Sequence, residues 1–160
     1  MKGVGADSNA SLPPQQGMLM GRMEHALDPK KRLTIPASWR DVMASPAYVY
    51  VIPDPNEKCL TIVPPHEMEG RLQALRQKAL FDPDATRALK TIGENSEQLS
   101  LDVQGRIRIC DRLLQYAGLV SQVVMIGAVN RIQLWAPEGC STSETVDPAK
   151  LGTACRLVGF

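Results

Sequence analysis

The chain has 160 residues, 44% of them apolar, which suffices for one globular domain or two small halves sharing a core and excludes a disordered chain. Charged residues make up 22% and the formal net charge is +1, so the strong basic excess of many nucleic-acid binders is missing. A DNA-binding surface on such a chain has to concentrate its cations locally and repeat them by oligomerisation.

Residues 1–17 mix Gly, Ser, Asn, Gln and paired Pro with almost nothing to bury, and read as a flexible extension, with order beginning near Met18. The chain then repeats itself. LDPKKRLTIP (27–36) aligns without a gap with LDVQGRIRIC (101–110), and Asp102 minus Asp28 gives a period of 74 residues. Two copies at that spacing mean a duplicated supersecondary unit and not a solenoid. In each copy a Leu-Asp pair, a turn and an Arg lead into alternating apolar residues, Leu33 and Ile35, then Ile107 and Ile109, which is the period of a strand with one buried face. A short helix should follow each strand, with Pro36 in the first turn of one, and Asp111 capping and Gly118 ending the other. Each copy closes with a hairpin, YVYVIP (48–53) with CLTIVP (59–64), and VVMIGA (123–128) with RIQLWAP (131–137), turning at 54–58 and 129–130.

Between the copies, Met68, Leu72, Leu75 and Ala79 recur at helical spacing, with Glu69, Arg71, Gln73, Arg76 and Lys78 on other faces. Asp82 and Pro83 announce a second helix running toward Ile92 and ending before Gly93. From Gly139 onward no strong period stands out. The expected organisation is an extension over 1–17, a first half over 18–64, a helical connector over 65–95, a second half over 96–137 and a tail over 138–160.

Two copies of Asp-x-Lys/Gln-Lys/Gly-Arg, each followed by an alternating strand, with Asp-Pro-Asp-Ala between them, resemble the layout of MraZ proteins over roughly 18–137. Met18-Leu19-Met20-Gly21 looks like the usual Met-Phe-x-Gly opening of that family, which makes 1–17 an addition or a misplaced start. The resemblance implies an α+β fold that is mainly β: a duplicated swapped-hairpin barrel of the AbrB and MazE type, with a helical pair between its halves. It also implies a cytoplasmic, nucleoid-associated regulator of transcription, a ring of identical copies that binds double-stranded DNA at promoter repeats of the cell-division and cell-wall gene cluster. Three departures stand out. Lys31 occupies a usual Gly, Cys110 a usual Pro, and the C-terminal segment is unlike the family's helical ending.

Positive charge clusters at the two turns. Lys30, Lys31 and Arg32, with Arg22 and Arg40 nearby, form the first group; Arg106, Arg108 and Arg112 form the second. Arg makes bidentate contact with guanine O6 and N7 while Lys meets phosphate, so Arg32 and Arg106 are assigned the leading role in reading DNA. The resemblance places the reading residues around the first motif, which makes Lys30 and Arg32 the firmest transfers. Asp28, Asp102 and Gly105 are read as turn-structuring residues, since Asp closes turns through bonds to its own backbone and each Arg can pair with it.

Other features point to structure. Trp39 and Trp135 lie in no aromatic cluster and read as core or interface anchors, and His25, at the position of Leu99 in the other copy, reads as packing. Neither His25 nor His66 has Cys or carboxylate neighbours at ligand spacing, so no metal or cofactor is expected. The four cysteines, at 59, 110, 140 and 155, form no CxxC pair and read as reduced thiols of a cytosolic protein. No apolar run approaches the ~20 residues of a membrane span, and no secretory signal is evident. No nucleophile elbow, phosphate loop or acid–base pair appears, so an enzyme is not expected. Two rival readings are an antitoxin-like protein that binds a toxin through an extended tail, and a ring scaffold that has lost specific DNA binding.

Overall fold

Apolar alternation becomes strand wherever the sequence shows it. The computed structural model describes residues 17–140 and 145–160, so all but the last residue of the expected N-terminal extension lies outside the described residues. In chain order the elements are β1 (Leu19–Ala26), β2 (Arg32–Thr34), α1 (Ala37–Val42), β3 (Tyr48–Pro53), β4 (Leu60–Val63), α2 (Pro65–Lys78), α3 (Pro83–Asn95), β5 (Glu97–Ser100), β6 (Arg106–Arg108), α4 (Asp111–Ala117), β7 (Gln122–Val129), β8 (Ile132–Trp135) and α5 (Pro148–Val158). The duplication is visible in this order, since β1-β2-α1-β3-β4 is repeated as β5-β6-α4-β7-β8.

The two copies are interleaved. Six strands form one antiparallel sheet in the order β1-β7-β8-β4-β3-β5, while β2 and β6 pair with each other as a separate ribbon. The first strand of each copy therefore pairs with the third strand of the other, Met23 opposite Met125 and Val49 opposite Leu99. One half alone has no complete sheet.

The expected closed barrel is not formed among the described residues: β1 and β5 are the free edges of the six-stranded sheet. The reason lies in the turns after β1 and β5. They carry the chain off the sheet so that β2 and β6 pair across it, and Leu33, Ile35, Ile107 and Ile109 join Val49, Leu60, Met125, Ile132 and Leu134 in one core. Full burial of such a side chain stabilises by roughly 1.5–3 kcal/mol. At Gly127 the β1 backbone comes so close that a Cβ would lie 2.7 Å from the carbonyl carbon of Leu19 and the nitrogen of Met20, so this position admits only glycine without a shift of backbone.

The short helices close the ends of the core. In α1, Trp39 is buried and its Nε1 donates to the Met20 carbonyl at 2.9 Å, which ties the helix to the opening strand. Pro36 is the N-cap residue and not the first helical one. In α4, Cys110 holds the cap position without a side-chain cap bond, and Asp111, expected to cap, is already helical and turns its carboxylate elsewhere. Gly118 ends α4 at φ 66° as expected. Trp135 is half-buried, His25 half-buried opposite Val123.

The helical pair lies against β3. Met68 is buried beneath α2, with Leu72 and Leu75 half-buried behind it, and Ala79 is already the C-cap. In α3 the Asp82 carboxylate accepts from the Asp84 N–H at 2.9 Å with Pro83 next in line, and the helix passes through Gly93 to Asn95. The same Asp-Pro device opens α5, where Asp147 accepts from Ala149 at 3.0 Å. A helix thus stands where the sequence showed no period, because Gly152 and Thr153 interrupt an apolar stripe only three turns long.

Candidate nucleic-acid interface

The turn that precedes β2 and the one that precedes β6 are two castings of one design. In the first, the Asp28 N–H donates to the Arg32 carbonyl at 3.0 Å and the Lys31 N–H to the Asp28 carbonyl at 2.9 Å. The second has Asp102 to Arg106 at 3.0 Å and Gly105 to Asp102 at 2.9 Å. Each aspartate then works through both carboxylate oxygens. Asp28 Oδ1 accepts from the N–H groups of Lys30 and Arg32 at 2.9 and 2.8 Å, and Oδ2 from Arg32 Nε at 2.6 Å. Asp102 does the same with Gln104 and Arg106, at 2.9 and 2.9 Å, and with Arg106 Nε at 2.7 Å.

These bonds favour the charged carboxylate. The backbone N–H of Arg32 holds the Asp28 carboxyl below the ordinary aspartate value of 3.8, against a smaller opposing effect of desolvation, and the guanidinium adds to the lowering. The N–H of Arg106 does likewise for Asp102.

Tight closure also demands a left-handed residue at the fourth position of the motif. Gly105 adopts φ 77° there and Lys31 adopts φ 60°, so the lysine that stands where the other copy has glycine carries about 1 kcal/mol of backbone strain. The two copies use the position differently. The Arg40 side chain lies over Gly105, where a Cβ would meet its Cζ and Nε at 2.4 Å, and Arg40 Nε donates to the Ile35 carbonyl at 3.0 Å. Lys31 instead extends its ammonium to Asp111 at the start of α4.

Between the turns runs the β2–β6 ribbon. Arg32 stands opposite Arg108 and Thr34 opposite Arg106, while Leu33 and Ile107 point into the core. Three guanidinium groups therefore share the outer face of a two-stranded ribbon only three residues long. Like charges directly opposite cost free energy in a sheet, and Asp28 and Asp102 offset part of it by pairing with two of the three. Lys30 and Arg108 are exposed and form no ion pair among the described residues.

The ribbon and its turns thus bring together Lys30, Lys31, Arg32, Arg106 and Arg108, five of the cations singled out from sequence. Arg22 sits apart from them on β1, exposed and opposite Ile126. Arg40 is half-buried in its packing over Gly105. Arg112 donates to the Glu94 carbonyl at 3.0 Å and so joins α4 to the end of α3. Sequence reading did not find Asp111 as the partner of Lys31, 80 residues away, nor Arg40 as the cover of Gly105.

In chemical terms, an aspartate that binds Nε does not occupy the terminal edge of the arginine fork, formed by its other two nitrogens. That edge matches guanine O6 and N7, and a two-stranded ribbon fits the width of a major groove. Elsewhere the described residues offer no group of His, Cys, Asp and Glu able to hold a metal, and no helix long and apolar enough to cross a membrane. All four cysteines are free, and burial pushes the Cys59 thiol up to about 12.

The molecule is thus a duplicated, strand-exchanged β protein with helices, carrying a short cationic ribbon outside its main sheet. The family model described as "MraZ protein, putative antitoxin-like" matches residues 94–140, the second copy. Among curated proteins, the transcriptional regulator MraZ of Thermomicrobium roseum is 30% identical over 121 residues, 76% of this chain and 83% of that protein. The MraZ regulator of Clostridium beijerinckii is 32% identical over 121 residues with the same coverage, and that of Symbiobacterium thermophilum 32% over 119 residues, 74% of this chain and 84% of that one. The chain belongs to the MraZ family.

Proposed function

We propose that the protein is a sequence-specific DNA-binding regulator of transcription that works as a homo-oligomeric ring, with the β2–β6 ribbon and its flanking turns as the DNA face. The observation that carries this reading is the outward row of Arg32, Arg106 and Arg108, two of them aimed by an aspartate from their own turn. Arg32 and Arg106 read base edges, while Lys30, Lys31 and Arg108 meet phosphates; Arg22 adds a cation from β1, and Arg40 acts on DNA only through the turn it packs against. The exchange of strands between copies supports a swapped-hairpin origin of the core, in which each half completes the other. The targets by family likeness are promoter repeats of the cell-division and cell-wall genes, reached in the cytoplasm at the nucleoid.

One protomer offers few cations without an acidic partner, so affinity must come from several copies on adjacent repeats. Each phosphate neutralised contributes about −0.9 to the slope of log K against log salt. The test is a titration of the full chain against a duplex from upstream of its own gene and a scrambled duplex, at two salt concentrations. Preferential binding that weakens steeply with salt is expected; equal, weak binding to both duplexes would leave the scaffold reading in its place.

A further inference from the structure

No side chain of helix α5 is fully buried against its own chain, and only Cys155 is partly covered. Leu151, Leu157, Val158 and Phe160 are all exposed, and Leu151, Ala154, Cys155 and Val158 recur at i, i+3, i+4 and i+7 as one stripe. A helix of eleven residues is marginal in water on its own and draws its stability from burying such a stripe, so α5 needs a surface to lie on.

The molecule has an uncovered surface of matching chemistry. A groove of about 380 Å³ runs between α2, α3 and the β3–β5 edge, with Tyr50, Met68, Leu72 and Ile92 among the residues that line it. Ser96 also lines it, and its Oγ is buried without a hydrogen-bond partner. Glu69 and Glu97 stand at the groove together with Arg76, while α5 carries Lys150 and Arg156 behind the capping Asp147. Acidic groups at the groove thus outnumber basic ones, and the helix has the reverse balance.

We propose that α5 of one copy docks in the α2–α3 groove of a neighbouring copy, laying Leu151 and Val158 against Leu72 and Ile92. The proposal rests on the ring reading above and supplies the contact that the ring requires. Twelve residues separate the end of β8 from the start of α5, a tether that reaches up to about 40 Å when extended. A helix passed onward from copy to copy in one direction is a heterologous contact, which closes into a ring, whereas the same exchange made reciprocally between two copies would close a two-fold dimer.

The test reads molar mass by light scattering for the full chain, for Leu151→Glu in α5 and for Leu72→Glu in the groove, singly and mixed in equal amounts. The wild type is expected to assemble, and each variant to associate at least about tenfold more weakly, as a lost apolar anchor does. The mixture is expected to form a pair of copies, because one variant keeps its groove and the other its helix. Glu97→Arg, weakened alone and restored by Arg156→Glu in the same chain, provides a second arm if Leu72→Glu fails to fold. An oligomer indifferent to Leu151→Glu would overturn the docking while leaving the ring reading intact. A monomeric wild type would overturn both, and variants that do not pair when mixed would place α5 in its own groove and overturn the exchange.

Discussion

The two turns at the ends of the ribbon share every backbone bond, yet they solve the left-handed position in opposite ways. The second places glycine there and uses the space above it for Arg40; the first places Lys31 there and directs its charge to Asp111. One copy thus uses the position for packing, the other for charge. A duplicated unit can keep its architecture through a shared Asp-to-backbone scaffold while its surface chemistry diverges at the one position that the scaffold leaves open.

The largest losses are expected at glycines that cannot carry a side chain. Gly127→Val drives a side chain into the β1 backbone and should lower stability by about 2–4 kcal/mol in urea unfolding, in line with overpacking and backbone displacement. Gly105→Ala strains a left-handed residue and displaces Arg40, for a loss of about 1–2 kcal/mol by the same measurement.

On the DNA side, Arg32→Ala should cost about 1–3 kcal/mol of discrimination between specific and scrambled duplex. Lys30→Ala should weaken both duplexes alike and reduce the salt slope by about 1. Smallest is the effect at the divergent position. Lys31→Gly should relieve about 1 kcal/mol of strain and lose an exposed ion pair worth at most about 1 kcal/mol, so urea unfolding should change little while DNA affinity falls.

Acid sharpens the shared part. Asp28 and Asp102 have folded values below the ordinary 3.8, so their stabilising effect is fully present above that value and is lost as pH falls through the folded ones. Melting temperature should therefore drop below about pH 4, and a chain carrying Asp28→Asn and Asp102→Asn should show a flatter profile in that range.

What could be read from the sequence was local. Period-two alternation at Leu33 and Ile35 gave the strands, Asp82-Pro83 gave the start of α3, and the offset of Asp102 from Asp28 gave the duplication. The pairing of β1 with β7 and of β3 with β5 was not written in any local pattern, because strand partners are chosen by which apolar faces complete one core. The barrel expectation failed for a related reason: a turn that leaves the sheet looks the same in sequence as one that continues it. Helix α5 was missed although Asp147-Pro148 repeats the opening of α3, since three turns with Gly152 inside give too short a stripe to stand out. Among the candidate site residues, Lys30 and Arg108 are exposed, whereas Arg32 and Arg106 are half-buried beside their aspartates. The Asp–Arg pairs were foreseen as structure, and the geometry gives each arginine an Nε held by the aspartate of its own turn.

The most direct measurement is a side-by-side titration of the wild type, Arg32→Ala and Arg106→Ala with the upstream duplex and its scrambled counterpart at a single salt concentration. Both variants should lose preference for the upstream duplex while keeping wild-type folding by circular dichroism, since the aspartates still bond their own turn backbones. Two variants that discriminate as well as the wild type would contradict the assignment of the β2–β6 ribbon as the DNA face.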